Sequence, residues 1–461
     1  MSALVGRVTT FVALLAVGAC GTKVTPPPEL GAIDLTCRLP LVDGPKVECA
    51  LEVREHAGRV LYEDHAMVDR LEGSSSPFVK PSYEMELRDL VGANLSANFF
   101  GMGADGDWVL DGFESDRSMM RSALIYDSFR AVGGGRYAPE GRYCTLSLNG
   151  VDQGLYRLVE KIKRDDDRVD IAADDGSGTS FVVESSNADD GALPNGLGMK
   201  WEFVSPSDAS VTHRQRDGLE SWLTAIDDTL ASATPADVFK HIDRDALADW
   251  ILIEELAKNL HGFSRGVYFS RDAGRPARLV PWDIDLSFGQ PTITDDVAIP
   301  PNDSPEGWIP ERPDFIHELV AIPELHARLA ARWRAFRGGP WSDAAISRRL
   351  DDFSVTLDPA AVINNFEIWD AAAHDTAAED GAAGDGATDA DTDADPEAGV
   401  DADAGAPAPD AGSPDGDASD AGPPKPTQSF YPVADYADEV AKLRAFITAR
   451  LAWIDAHVDA Y

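Results

Sequence analysis

Val280-Pro281-Trp282-Asp283-Ile284-Asp285-Leu286-Ser287-Phe288-Gly289 is the stretch that decides how this chain is read. An apolar, strand-like run delivers two aspartates, one residue apart, into a turn closed by glycine. Hard carboxylate oxygens at a strand end are what Mg²⁺ needs while it also grips nucleotide phosphates. Aspartates in such a place also serve as turn and helix-cap residues, and residue type alone leaves both readings open. Working outward, Ile242, Ala246, Trp250, Ile253, Ala257 and Leu260 recur on one helical face. Short strands are expected at 266–270 and 278–281, and further helices across 314–366. Strand-like runs dominate up to about Val183. Strands first and helices later predict an α+β domain, strand-rich in its N-terminal part and helical in its C-terminal part.

Other catalytic signals are weak. Gly101-Met102-Gly103-Ala104-Asp105-Gly106 matches the dinucleotide fingerprint letter by letter, but Asp107-Trp108-Val109-Leu110 follows where a helix is required. No phosphate-loop motif, His-Glu-x-x-His pair or Gly-x-Ser-x-Gly elbow occurs, so zinc and serine hydrolysis lack their usual marks.

Trp282-Asp283-x-Asp285-x-x-x-Gly289 closely resembles the signature of the spore-coat protein H (CotH) family of atypical kinases, and four more segments resemble it in order. Asp116-Arg117-Ser118-Met119-Met120-Arg121 is similar to that family's "D-K-S-L-M-R-N" segment. Leu148-Asn149-Gly150-Val151-Asp152-Gln153-Gly154-Leu155-Tyr156, continued by Glu160-Lys161-Ile162, resembles its "L-N-G-x-Y-x-G-V-Y" strand. Glu255-Leu256-Ala257-Lys258-Asn259 resembles its "E-L-A-K-N" helix end, and Arg450-Leu451-Ala452-Trp453-Ile454-Asp455 its "R-L-x-W-M-D" terminus. The resemblance implies an atypical protein-kinase-like fold that transfers a phosphoryl group from ATP, with Mg²⁺, to protein Ser or Thr. It implies Asp283 as the metal ligand, with Asp285 a weaker second. Lys80 falls on the first Lys of the family's "F-P-K-K-S-Y" stretch, where it could neutralise phosphate and pair with Glu160; a solvated strand lysine is the other reading. A surface ion pair is the other reading for Glu160. Arg121 is a further phosphate-binding candidate.

Three positions depart from the family pattern. The Asp that looks like its catalytic base is His261 here, the Arg of "R-G-x-S-S" is Glu72, and the second Lys of the Lys-Lys pair is Pro81. Imidazole accepts a proton at neutral pH but carries no fixed negative charge. The alternative to a kinase is therefore a pseudokinase, or a structural envelope interaction protein without phosphoryl transfer.

The two ends of the chain bear on where it works. Arg7, the apolar run Val8 to Leu15 and Val17-Gly18-Ala19-Cys20 read as a lipoprotein signal peptide over 1–19, with Cys20 as the lipidation site. Acylation of Cys20 would hold the protein to a membrane outside the cytoplasm, periplasmic or at the outer-membrane surface. Residues 20–32, with Pro26 to Pro28, read as a tether, and 33–369 as the CotH-like domain. Residues 370–427 are almost wholly Ala, Asp, Gly and Pro, a composition that predicts disorder. Asp391, Asp393 and Asp395 hint at calcium there, but Pro396 and Ala402 occupy the places of the loop's Gly and Glu. Across 428–461, Val440, Leu443, Ile447, Leu451, Ile454 and Val458 mark one helix face that must dock on the body. A net charge of −40 argues against nucleic acid as a partner. The resemblance implies an unidentified protein substrate or, in the alternative reading, an envelope partner. Cys37 and Cys49 flank a short turn and are candidates for a disulfide, whereas Cys144 reads as a buried thiol on a strand over 143–148.

Overall fold

A computed structural model describes residues 30–42, 44–71, 80–113, 116–186, 193–284, 287–290, 303–310, 312–369 and 436–461. Cys20, Glu72, Asp285 and the 370–427 segment lie outside the described residues. No helix among those described is long and apolar enough to cross a membrane.

Alternating apolar residues build the first layer. Strands β1 (Gly31–Cys37), β2 (Val47–Arg54), β3 (Val60–Arg70) and β4 (Tyr83–Arg88) are followed by β7 (Asp107–Asp111), β8 (Gly141–Leu148) and β9 (Val151–Glu160). They close a barrel in the order β1-β2-β3-β4-β7-β9-β8. The parallel β1/β8 pair makes the closure and leaves no open edge. Ile33, Leu35, Cys49, Leu51, Met85, Trp108, Cys144 and Leu158 fill the interior, every second residue of each strand. Cys37 and Cys49 stand opposite each other in the β1/β2 register and are joined by a disulfide. Cys144 is a free thiol inside the barrel, and burial pushes its pKa to about 12. Gly31 and Ala32, assigned to the tether by composition, already belong to β1.

Two short strands, β5 (Ala97–Asn98) and β6 (Ala104–Asp105), form a ribbon whose turn holds Gly101 at φ 82°. The Gly-x-Gly letters thus lie in a hairpin that runs on into β7. The second layer is a sheet in the order β11 (Asn195–Gly196), β12 (Met199–Ser205), β10 (Phe181–Ser186), β13 (Tyr268–Arg271), β14 (Arg278–Val280). β13 begins at Tyr268 because Gly266, at φ 59°, is turned out of extended backbone; β14 stops before Pro281, which has no N–H to continue a ladder.

Helices supply the rest: α1 (Arg121–Arg130), α2 (His213–Leu230), α3 (Arg244–Ala257), α4 (Asp314–Val320), α5 (Pro323–Arg337), α6 (Asp343–Thr356), α7 (359–369) and α8 (Tyr436–His457). A Thr212/Gln215 capping box starts α2, and Asp243 caps α3 through the backbone N–H groups of Asp245 and Ala246. α3 is buried from Ala246 to Ala257 on every face, which marks it as the central helix of the larger core. α8 lays Leu443, Ile447, Leu451 and Ile454 against that core. The molecule is α+β, with barrel and helical part joined through α1.

Candidate active site

The end of α3 sets the geometry. Lys258 closes the helix in a left-handed conformation, φ 47°. Its ammonium group donates to the carbonyls of Ser304 (2.7 Å) and Glu306 (2.6 Å), so this lysine fastens a loop. Asn259, fully buried, follows it: its Nδ2 donates to Glu254 Oε2 and to the carbonyl of Asp283, both at 3.0 Å. Its Oδ1 accepts from the backbone N–H of His261 at 3.3 Å. One amide side chain therefore ties the His261 turn to the Asp283 turn. Gly262 packs on Glu254, where a Cβ would lie 2.3 Å from Oε2. Glu254 itself is buried. Desolvation, with the charges of Asp283 and Glu255, holds its carboxyl well above the usual carboxylate range.

Asp283 sits at φ 54°, a left-handed backbone that non-glycine residues rarely adopt and that clusters at functional sites. The turn is tight: a Cβ on Gly266 would lie 2.7 Å from Asp283 Cβ. His261 Nδ1 is 4.0 Å from Asp283 Oδ2, with the aspartate side chain 37% exposed and the histidine 16%. Trp282 stacks on Tyr126 of α1 and meets Tyr268 edge-on, which fixes the entry to the turn. Phe288 N–H donates to the Ala257 carbonyl at 2.6 Å, and Gly289 lies against Phe446 of α8. The turn after β14 is thus clamped between α3 and α8.

Arg121 lies buried behind the Asp283 turn, and Lys80 and Glu160 are placed elsewhere. The Arg121 guanidinium is buried and donates to Asp116 (2.5 Å), Ser118, the Ser287 carbonyl (3.1 Å) and Glu439 of α8 (3.2 Å). It latches the Asp283 turn to α1 and α8, and these partners occupy its N–H groups in place of a phosphate. Lys80 is buried, donates to the Leu155 carbonyl and to Asn365 Oδ1 (2.8 Å), and lies over the Tyr156 ring at 4.2 Å. Burial pulls its pKa down to about 7. Glu160 accepts from the Glu140 backbone N–H (2.9 Å) and the Tyr137 hydroxyl (3.2 Å). The expected Lys80–Glu160 pair is not formed. Leu155, in the middle of β9, and Glu160, at its end, are five residues or about 16 Å of strand apart, which keeps the two groups from meeting.

Glu255, in the "E-L-A-K-N"-like segment, is a structural hub. Its carboxylate holds Arg312 (2.6 Å), Arg450 (3.1 Å), Tyr461 (2.9 Å) and the Ile309 N–H (3.1 Å). Glu254 and Asn259 were not singled out as site residues by sequence reasoning. Asn259 was visible in the helix-end motif, whereas Glu254 lies in a helix so uniformly buried that no polar periodicity marks it.

Whether Mg²⁺ fits is decided by the donor set. Mg²⁺ is commonly held by one or two carboxylates, with phosphates and water completing its shell. A part-exposed Asp283 carboxylate on a clamped turn meets that need. Among the described residues no group of three His, Cys, Asp or Glu forms a self-contained metal cage.

The CotH kinase protein family model matches residues 70–454, most of the chain. No curated protein matches it. With the helix-end motif, the Trp-Asp turn and most of the C-terminal helix inside the matched span, the chain belongs to the CotH kinase family.

Proposed function

We propose that this protein is an exported, lipid-anchored member of the family that transfers phosphate from ATP to a protein Ser or Thr, through a kinase-like fold. The observation that carries the reading is the His261–Asp283 pair, 4.0 Å apart on two turns tied together by buried Asn259. Bound Mg²⁺ and ATP would supply the phosphoryl group and neutralise its charge. Asp283 is the residue to hold the metal, with Asp285, two positions on, a weaker second. His261 takes the proton from the attacking hydroxyl at a ring nitrogen, the oxygen forms its bond to the γ-phosphorus, and ADP leaves. An imidazole with a reference pKa of about 6.5 is mainly neutral at neutral pH and so able to accept that proton. Asn259 orients both turns, and Gly262 and Gly266 let the backbones close. Lys80 and Arg121 hold the frame. Cys20 would carry the lipid anchor, which places the reaction on the outer side of a membrane. The partner class is a protein of the envelope.

Incubation of the purified chain with γ-labelled ATP, Mg²⁺ and envelope protein tests this. Label should appear in Ser or Thr and disappear in Asp283→Ala. Binding of Mg-ATP with no transfer would move the protein to the pseudokinase reading.

A further inference from the structure

Away from the His261–Asp283 pair, the outer face of the barrel adjoins the second sheet around Lys161 and Ile162, and carboxylates outnumber cations in the notch between them: Glu84 of the barrel, as well as Glu202, repels Glu184. On the barrel wall Asp69 of β3 stands directly opposite Glu84 of β4. On the sheet wall Glu184 of β10 stands directly opposite Glu202 of β12. Like charges in directly opposed positions destabilise a sheet, and here two such pairs share one space. Ile162, next to Lys161, packs with Val182, Tyr268 and Val204 of the second sheet. Alternate residues share a strand face, so Glu184 lies beside Val182 and Glu202 beside Val204 on the same wall.

The cations present are already engaged. Lys161 reaches Glu84 at 2.6 Å, Lys46 holds Glu84 (3.7 Å) and Glu86, and Arg88 holds Glu86 at 2.6 Å. Asp69, Glu184 and Glu202 make no ion pair among the described residues. Asp69 is only 8% exposed, and its Oδ1 is buried with no hydrogen-bond partner. Desolvation raises its pKa to about 6, with repulsion from Glu84 and Glu86 opposing the pull of Lys46 and Lys161. Desolvation, then repulsion from Glu202, raises Glu184 to about 7. A buried acceptor without a donor and a carboxylate facing another are both unfavourable until a cation enters.

We infer that this notch binds the ammonium or guanidinium group of a Lys or Arg side chain in the protein substrate. The inference rests on the transfer reaction proposed above only for the word substrate; the notch itself is independent of it. The notch also lies at a useful distance. Glu184 pairs with Tyr268, which pairs with Val280, and the Ser185 N–H donates to the carbonyl of Val267, one residue from the Gly266 that abuts Asp283. Two or three strand spacings put Glu184 on the order of 10–15 Å from Asp283. An extended peptide covers that in about three or four residues. The basic residue therefore falls three or four positions from the phosphoacceptor.

Calorimetric titration of a serine peptide bearing one arginine at that spacing, and of its alanine counterpart, into the whole chain without ATP tests the notch. The arginine peptide should bind at least about tenfold tighter at pH 8, and its advantage should shrink toward pH 6 as Glu184 and Asp69 take up protons. The preference should vanish in the double variant Glu184→Gln/Glu202→Gln, which should melt no lower than the parent because two repelling charges are gone. Asp69→Asn should weaken it separately. Equal affinity for the two peptides, or a preference that survives in the folded double variant, would overturn the inference. Spermidine binding more tightly than the peptide would also overturn it, by assigning the notch to a free polyamine. Peptide preference without any phosphoryl transfer would sink the proposed reaction and leave the notch standing.

Discussion

Strand β9 and the turns beyond α3 both hold charged residues of the family-like segments, yet the two regions treat them differently. Along β9, Lys80 against mid-strand Leu155 and Glu160 at the strand's end are buried, each satisfied by a backbone carbonyl, an N–H, an amide or a phenol. Beyond α3, His261 and Asp283 come from separate turns, meet at 4.0 Å and keep part of their surface open. A charged residue in a motif can be framework or chemistry, and the groups that reach it from elsewhere in the fold decide which. Asn365 of α7, far away in sequence, makes Lys80 framework; Asn259, two residues before His261, makes the turns a site.

The largest effect should come from the turns. His261→Ala should lower phosphoryl transfer by about 10² to 10⁴-fold, the usual weight of a general base, with little change in melting temperature. A drop within a few-fold would remove His261 from the chemistry. Arg121→Ala should act on stability: it leaves buried Asp116 without its cation and Glu439 with only Lys442 at 3.9 Å, a loss of about 3–5 kcal/mol by denaturant unfolding. Full stability with loss of nucleotide affinity would instead make Arg121 a phosphate ligand.

Lys80 offers a pH test of its burial. Its folded pKa, about 7, lies below the 10.5 of an exposed lysine. Between those values the unfolded chain holds a proton that the folded chain has released, so stability rises with pH across the window and is lost again as pH falls through 7. Lys80→Met should flatten that rise in urea unfolding measured from pH 7 to pH 10. The smallest effect expected is the coupling between Lys80→Met and Glu160→Gln. A double-mutant cycle should give additivity within about 0.5 kcal/mol. A larger coupling energy would restore the ion pair that the fold keeps apart.

Much of the fold was legible because short-range periodicity determines it. Leu443, Ile447, Leu451 and Ile454 announced a docking helix, and they are buried against the core. The strand expected over 143–148 is β8, and the helical face expected from Ile242 to Leu260 is α3, which leaves both of those end residues outside the helix. What periodicity cannot carry is register between distant strands. That Asp69 faces Glu84, or that Glu184 faces Glu202, follows from pairings no local pattern encodes. The Lys80–Glu160 expectation failed for the same reason: sequence sets Glu160 on a strand and Lys80 just ahead of another without saying which parts of those strands meet. Asp283 was visible through its motif, whereas its left-handed backbone depends on the missing Cβ of Gly266.

The pair beyond α3 can be tested without knowing any acceptor, by calorimetric titration of ATP into the whole chain with and without Mg²⁺. The site described here predicts affinity that needs the metal and is lost in Asp283→Ala at unchanged melting temperature. Affinity indifferent to magnesium, or intact after that substitution, would contradict it.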